Sequence, residues 1–142
     1  MSAEAFLDTN IFIYHLDRTD RSKQETAERL VRSALADGTA CISYQVVQET
    51  LNVVLRKAEL ALTPDQARTY LDLVLAPLMK VPASDGLYHR TLDVQARWRF
   101  SFYDSLIVAG ALLARCTTLF TEDLQHGQRV ESLTIVNPFQ PT

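Results

Sequence analysis

The sequence predicts an α/β fold: a three-layer sandwich in which a central parallel sheet of about five strands lies between helices. Three observations predict it. Short apolar runs, each too brief for a helix, alternate with longer stretches whose apolar residues recur at three- and four-residue spacing. The short runs are apolar throughout rather than alternating, as strands buried on both faces are. The chain of 142 residues is 47% hydrophobic, with only 4 Gly and 5 Pro and no linker-like stretch or internal repeat. That is enough for one good core and too little for two, so residues 1–142 form a single domain.

The first strand is Ala5-Phe6-Leu7, closed by the polar turn Asp8-Thr9-Asn10, after which Ile11, Phe12 and Ile13 carry apolar character into the next element. Ser22-Lys23-Gln24-Glu25 reads as a capping box opening a helix with Ala27, Leu30, Val31, Ala34 and Leu35 on one face; Gly38 ends it. Thr39 to Ile42 is the second strand. Ser43 caps a helix running to about Leu60, with Val46, Val47, Leu51, Val54 and Leu55 inward. Thr63-Pro64, a cap and then proline at the first helical position, opens the next helix, striped by Ala67, Tyr70, Leu71, Val74 and Leu75. Met79 to Pro82 is a weakly marked third strand. Ser84 caps a helix through Leu87, Thr91, Leu92 and Trp98, and Ser101 caps another from Phe102 to about Ala114. Thr118-Leu119-Phe120 and Leu133 to Val136 are the fourth and fifth strands.

Composition excludes several classes. No apolar run approaches the roughly 20 residues needed to span a bilayer, and Met1-Ser2-Ala3-Glu4 lacks the base of a signal peptide; a soluble, cytoplasmic protein with no membrane partner is expected. Cys41 and Cys116 adjoin apolar runs and offer no close ligand pair, so buried thiols are expected rather than a disulfide or a zinc site. The net charge of −3 argues against a nucleic-acid partner until its distribution is considered. If four of the 17 acids occupy one site, 13 face 14 bases elsewhere, which permits a polyanionic partner.

Four acids stand out by position. Asp8 follows the first strand and Asp123 the fourth, both at the carboxyl edge where such sheets place their ligand sites. Glu49 lies within two turns of its helix start, at the margin of the apolar face, and Asp104 is in the first turn of its helix. Each has a plainer reading: a turn residue for Asp8, the third position of a capping box for Asp104, a boundary charge for Glu49, a solvated loop acid for Asp123. The conjunction at one edge carries the argument. Two carboxylates about 5 Å apart repel by roughly 3 kcal/mol at an effective dielectric near 20, so a cluster of them calls for a divalent cation. Oxygen donors select Mg²⁺ or Mn²⁺, and the chemistry indicated is metal-assisted phosphodiester cleavage.

The same residues resemble the motifs of PIN-domain proteins. Phe6-Leu7-Asp8-Thr9-Asn10 resembles the first motif, Ser43 to Glu49 the second, Phe102 to Ala109 the third and Leu119 to Leu124 the fourth, in order from Phe6 to about Val136. The resemblance implies a Mg²⁺- or Mn²⁺-dependent endoribonuclease acting on single-stranded RNA or loops. Asp8, Asp104 and Asp123 would hold metal directly or through water, Glu49 would bind or orient the attacking water, and a 3′-hydroxyl would leave. Asn10 and Thr121 are candidates for orienting the carboxylates, although Thr121 reads equally as a plain strand-end residue. A chain this short is similar to VapC-like toxins, usually dimeric and silenced by a cognate antitoxin; the implied partners are RNA, an antitoxin and a second copy of the chain.

Arg97-Trp98-Arg99-Phe100 makes Arg97 and Arg99 candidate RNA contacts, against the plainer reading of a helix end with both arginines solvated. Arg18, Arg21 and Lys23 divide in the same way, and His126 is either near the site or a surface loop histidine. Three other functions compete: a catalytically silent PIN-like binding module, a housekeeping RNA-processing nuclease, and a phosphatase with Asp8 as nucleophile. The last usually has a second Asp two residues on, where this chain has Asn10.

Overall fold

In a computed structural model, which describes residues 3–140, the chain leads with strand β1 (Ala5–Leu7), helix α1 (Thr9–Leu16) and helix α2 (Arg21–Asp37). Strand β2 (Ala40–Ser43) and helix α3 (Tyr44–Arg56) follow. Next come α4 (Pro64–Tyr70), a π-helical turn (Leu71–Leu75), α5 (Ala76–Leu78) and strand β3 (Met79–Val81). Helices α6 (Asp85–Trp98) and α7 (Phe102–Leu113) precede β4 (Thr118–Phe120), β5 (Arg129–Val130) and β6 (Leu133–Val136). Met1 and Ser2, part of the segment read for a leader, lie outside the described residues.

The sheet order is β3-β2-β1-β4-β6-β5. The five expected strands are all present and parallel, β1 pairing with β2 on one side and with β4 on the other. A sixth strand, β5, is an addition to the expectation and runs antiparallel to β6. The chain winds outward from β1 to β3, then crosses back to place β4 on β1's free side. That reversal opens a crevice at the carboxyl ends of β1 and β4, which is where Asp8 and Asp123 stand.

Strand residues Phe6, Leu7, Ile42, Leu119 and Ile135 are fully buried, and α7 is apolar nearly all round, with Leu106 to Ala111 buried. A helix hydrophobic on every side belongs inside the fold. The stripes of the flanking helices reach less far than expected: Leu35, Leu55 and Leu92 at their outer edges are exposed. Cys41 and Cys116, distant in sequence, are buried free thiols with Sγ atoms 3.8 Å apart. Among the described residues no helix is long and apolar enough to cross a membrane.

Three local expectations are corrected. Asp20, not Ser22, caps α2, its carboxylate accepting from the Lys23 N–H at 3.1 Å; an ionised acceptor is favoured over a hydroxyl at the positive end of the helix dipole. Ser43 holds the N-cap position of α3 but makes no side-chain cap bond. The α4 stripe does not continue as regular helix: Pro77 has no N–H and its ring crowds the carbonyl four residues back, and the turn before it widens to a π-helix. Elsewhere the caps behave as read: Thr63 and Gln66 form a reciprocal box, Ser84 accepts from Leu87 N and Gly38 takes a left-handed φ of 66°.

Helix α6 ends on Arg99, which itself adopts a left-handed φ of 61°. A side chain there costs roughly 1–2 kcal/mol that glycine does not. Arg99→Gly is expected to raise stability by about 1 kcal/mol, read as a higher urea midpoint at unchanged slope.

Candidate active site

Asp8 is the N-cap of α1 and is 5% exposed. Its Oδ1 accepts from the Thr9 N–H at 2.7 Å, and its Oδ2 accepts from the Thr121 hydroxyl at 2.7 Å. Burial pushes its carboxyl up to about 7; the two hydrogen bonds work against that rise, and the charges of Asp123 and Glu49 add to it. An acid so placed is half ionised at neutral pH unless a cation comes beside it.

Thr121, fully buried just past β4, ties two of the acids together. Besides donating to Asp8, its hydroxyl accepts from the Asp123 N–H at 3.0 Å and from Asn10 Nδ2 at 3.3 Å. Asn10 also donates Nδ2 to Asp123 Oδ2 at 3.1 Å. Thr9 joins the third acid: its N–H serves Asp8 while its Oγ1 donates to Glu49 Oε1 at 3.0 Å. The plain strand-end reading of Thr121 therefore misses its contacts. Asp123 has its carboxyl raised by burial, lowered by the Asn10 bond, and raised again by Asp104 and Glu122. Asp104 stands where the capping-box reading put it, but only half of that box forms: its backbone N–H donates to Ser101 Oγ at 3.1 Å, and the residue lines the cleft.

All four predicted acids and Asn10 line one cleft of about 350 Å³, with walls from α1, α3, α7 and the segment after β4. Helix positions explain the convergence. Asn10, Ile13, Tyr14 and Asp17 fall at i, i+3, i+4 and i+7 on α1, and Gln45, Glu49 and Val53 at four-residue steps on α3, so each set shares a face.

Sequence reasoning assigned no role to Glu122, Thr9, Tyr14, Gln45, Tyr103 or Lys57, which also belong to this cleft. Glu122 accepts from the Tyr14 hydroxyl at 2.7 Å and from Lys23 Nζ at 3.3 Å. Lys23 lies over the Tyr14 ring at 4.4 Å, and Phe139 meets that ring edge-on at 4.8 Å. The signal available was Gln45, a polar residue on the largely apolar buried face of α3. Arg97 and Arg99 are not brought to the cleft. Both are exposed at the end of α6, Arg97 over the ring of half-buried Trp98. His126 is exposed and accepts from the Asn137 N–H.

The cleft's acidic donors are all hard oxygens, the set Mg²⁺ and Mn²⁺ prefer. Among the described residues no three His, Cys, Asp or Glu side chains stand close enough together to hold one metal ion. Magnesium does not need three: it keeps several waters and takes one or two carboxylates. An acid driven toward neutrality chiefly by burial, and further by the charges of Asp123 and Glu49, in a cleft with room for water, fits such a hydrated ion.

A family model described as the PIN domain matches residues 5–130. No curated protein matches the chain by sequence. Among solved structures, a toxin–antitoxin complex from Klebsiella pneumoniae is similar at a TM-score of 0.67 and 21% identity, over 94% of this chain and 97% of that one. DNA-bound VapBC from Salmonella typhimurium is similar at 0.66 and 19%, over 94% and 96%. The sarcin–ricin-loop-cleaving toxin VapC20 of Mycobacterium tuberculosis is similar at 0.63 and 19%, over 84% and 89%. These likenesses establish a shared fold, and the family match over most of the chain establishes membership: the protein belongs to the PIN-domain family.

Proposed function

We propose that this protein is a divalent-metal-dependent endoribonuclease and the toxin of a toxin–antitoxin pair. The observation that carries the reading is the convergence of Asp8, Glu49, Asp104 and Asp123, from four separate segments, on one cleft at the sheet's switch point. Asp8, Asp104 and Asp123 would hold Mg²⁺ or Mn²⁺, directly or through water. Bound there, the ion supplies positive charge to the phosphodiester and lowers the pKa of water. Glu49, steadied by Thr9 Oγ1, orients the attacking water. Thr121 and Asn10 hold Asp8 and Asp123 in place, as groups behind a metal site do.

The toxin assignment draws on the shared fold of complexes in which a toxin is bound by its antitoxin. It carries with it a cognate antitoxin and a homodimer as expected partners.

Purified protein is expected to cleave RNA with Mg²⁺ or Mn²⁺, to stop in EDTA, and to resume when excess ion is restored. Undiminished cleavage in EDTA contradicts the reading. Expression without the neighbouring gene is expected to arrest growth, whereas tolerated high expression favours a housekeeping nuclease.

A further inference from the structure

We propose that the outer trough between α1 and α3 is the path of one RNA strand leaving the carboxylates, and that Lys57 holds a backbone phosphate of that strand. This rests on the ribonuclease reading above.

Acid dominates the cleft: besides the four site carboxylates, Asp17 and Glu122 line it. Among the lining residues Lys57, the C-cap of α3, is the one Lys or Arg. Its side chain is exposed, and among the described residues it forms no ion pair, unlike Lys23, which is tied to Glu122. Across the trough Asp17 feels its charge: that carboxyl is held low chiefly by hydrogen bonds from Thr19 and more weakly by Lys57.

The need for Lys57 follows from distance. Glu49 and Lys57 are eight residues apart along α3, about 12 Å at 1.5 Å per residue. That exceeds the screening length of roughly 8–10 Å at physiological salt. A cation held at the carboxylates would serve the scissile phosphate alone, and a phosphate at the trough's outer end would face Asp17 unassisted. Lys57 sits there. The same span is about three to four stacked nucleotide steps of roughly 3.4 Å. Half-buried Ile13 and Val53 give the intervening walls apolar surface. A groove between two helices in direct contact admits a single strand, not a duplex.

The test is RNA binding by fluorescence anisotropy with Ca²⁺ in place of Mg²⁺, together with steady-state cleavage. The proteins are wild type, Lys57→Gln and Lys57→Arg, and the ligands an unstructured decamer and a dinucleotide. For the decamer, Lys57→Gln is expected to weaken binding and raise KM about 3- to 10-fold with kcat unchanged. Its salt slope should fall by about 0.7, one single-strand phosphate contact. Lys57→Arg should keep most of the affinity, and the dinucleotide, too short to reach, should not distinguish the proteins. A decamer bound by Lys57→Gln with wild-type affinity and salt slope overturns the assignment of Lys57 and leaves the nuclease reading intact. Wild type that neither binds nor cleaves RNA overturns both.

Discussion

Asp104→Asn is expected to fold as the wild type does and to lose RNA cleavage by about 10²- to 10³-fold, the scale seen when one preorganised charged group is removed from an active site. The fold survives because Asp104 contributes its backbone N–H, not its carboxyl, to the cap of α7; Ser101 Oγ accepts that N–H whatever side chain is present. The amide is nearly isosteric, and the residue is half-exposed, so little packing is lost. What disappears is a negative charge beside Asp123 and an anionic oxygen donor to a cation. Circular dichroism and a urea midpoint within about 0.5 kcal/mol of wild type, with the loss of cleavage, check both halves. Wild-type cleavage by the folded variant removes Asp104 from the site.

The second large effect is on stability and has opposite signs at the two ends of the pH range. Asp8 is pushed up to about 7 in the folded protein, chiefly by burial, against an unfolded value near 3.9. Between those values the folded state binds more protons than the unfolded one, so stability falls as pH rises from about 4 to about 7 and stays reduced above 7. At 1.36 kcal/mol per unit the reduction reaches at most about 4 kcal/mol. Asp8→Asn carries no such titration. It keeps a good N-cap but disturbs one of two hydrogen bonds, because only one atom of an amide accepts where Thr9 N–H and Thr121 Oγ1 both donate; that costs about 1 kcal/mol.

The two pH–stability curves, measured without divalent ion, should therefore cross between about pH 4 and 5. At pH 8 the variant is expected to be more stable by up to about 3 kcal/mol, and at pH 3 less stable by about 1 kcal/mol. Adding Mg²⁺ at pH 8 should then stabilise the wild type, by about 2.7 kcal/mol at a hundredfold excess over its dissociation constant, and the variant much less. Parallel curves without a crossing contradict the environment assigned to Asp8.

The sheet and the four acids were legible in the sequence because each rests on a local pattern that the fold does not override. Phe6-Leu7 and Leu119-Phe120 are short apolar strands ended by acids, and parallel winding brings those ends together. Strand β5 was not legible. Arg129 and Val130 are two residues, too few for any periodicity, and the turn to β6 passes through Glu131 at φ 56°, where Asn or Gly would have marked it. The Tyr14–Glu122–Lys23 cluster joins residues up to 108 positions apart by hydrogen bonds that only tertiary contact reveals. The helix bearing Arg97 and Arg99 does start where Ser84 indicated, but its end points the arginines to solvent away from the cleft, an orientation that composition does not encode.

Manganese binding to the purified protein, followed by the loss of the free-ion electron paramagnetic resonance signal, tests the carboxylate cluster as a single ion site. Wild type is expected to bind Mn²⁺ saturably and release it to excess Mg²⁺, with Asp8→Asn and Asp104→Asn each weakening binding at least tenfold. Saturable binding that both variants retain at wild-type strength, or no binding by wild type at millimolar ion, would contradict it.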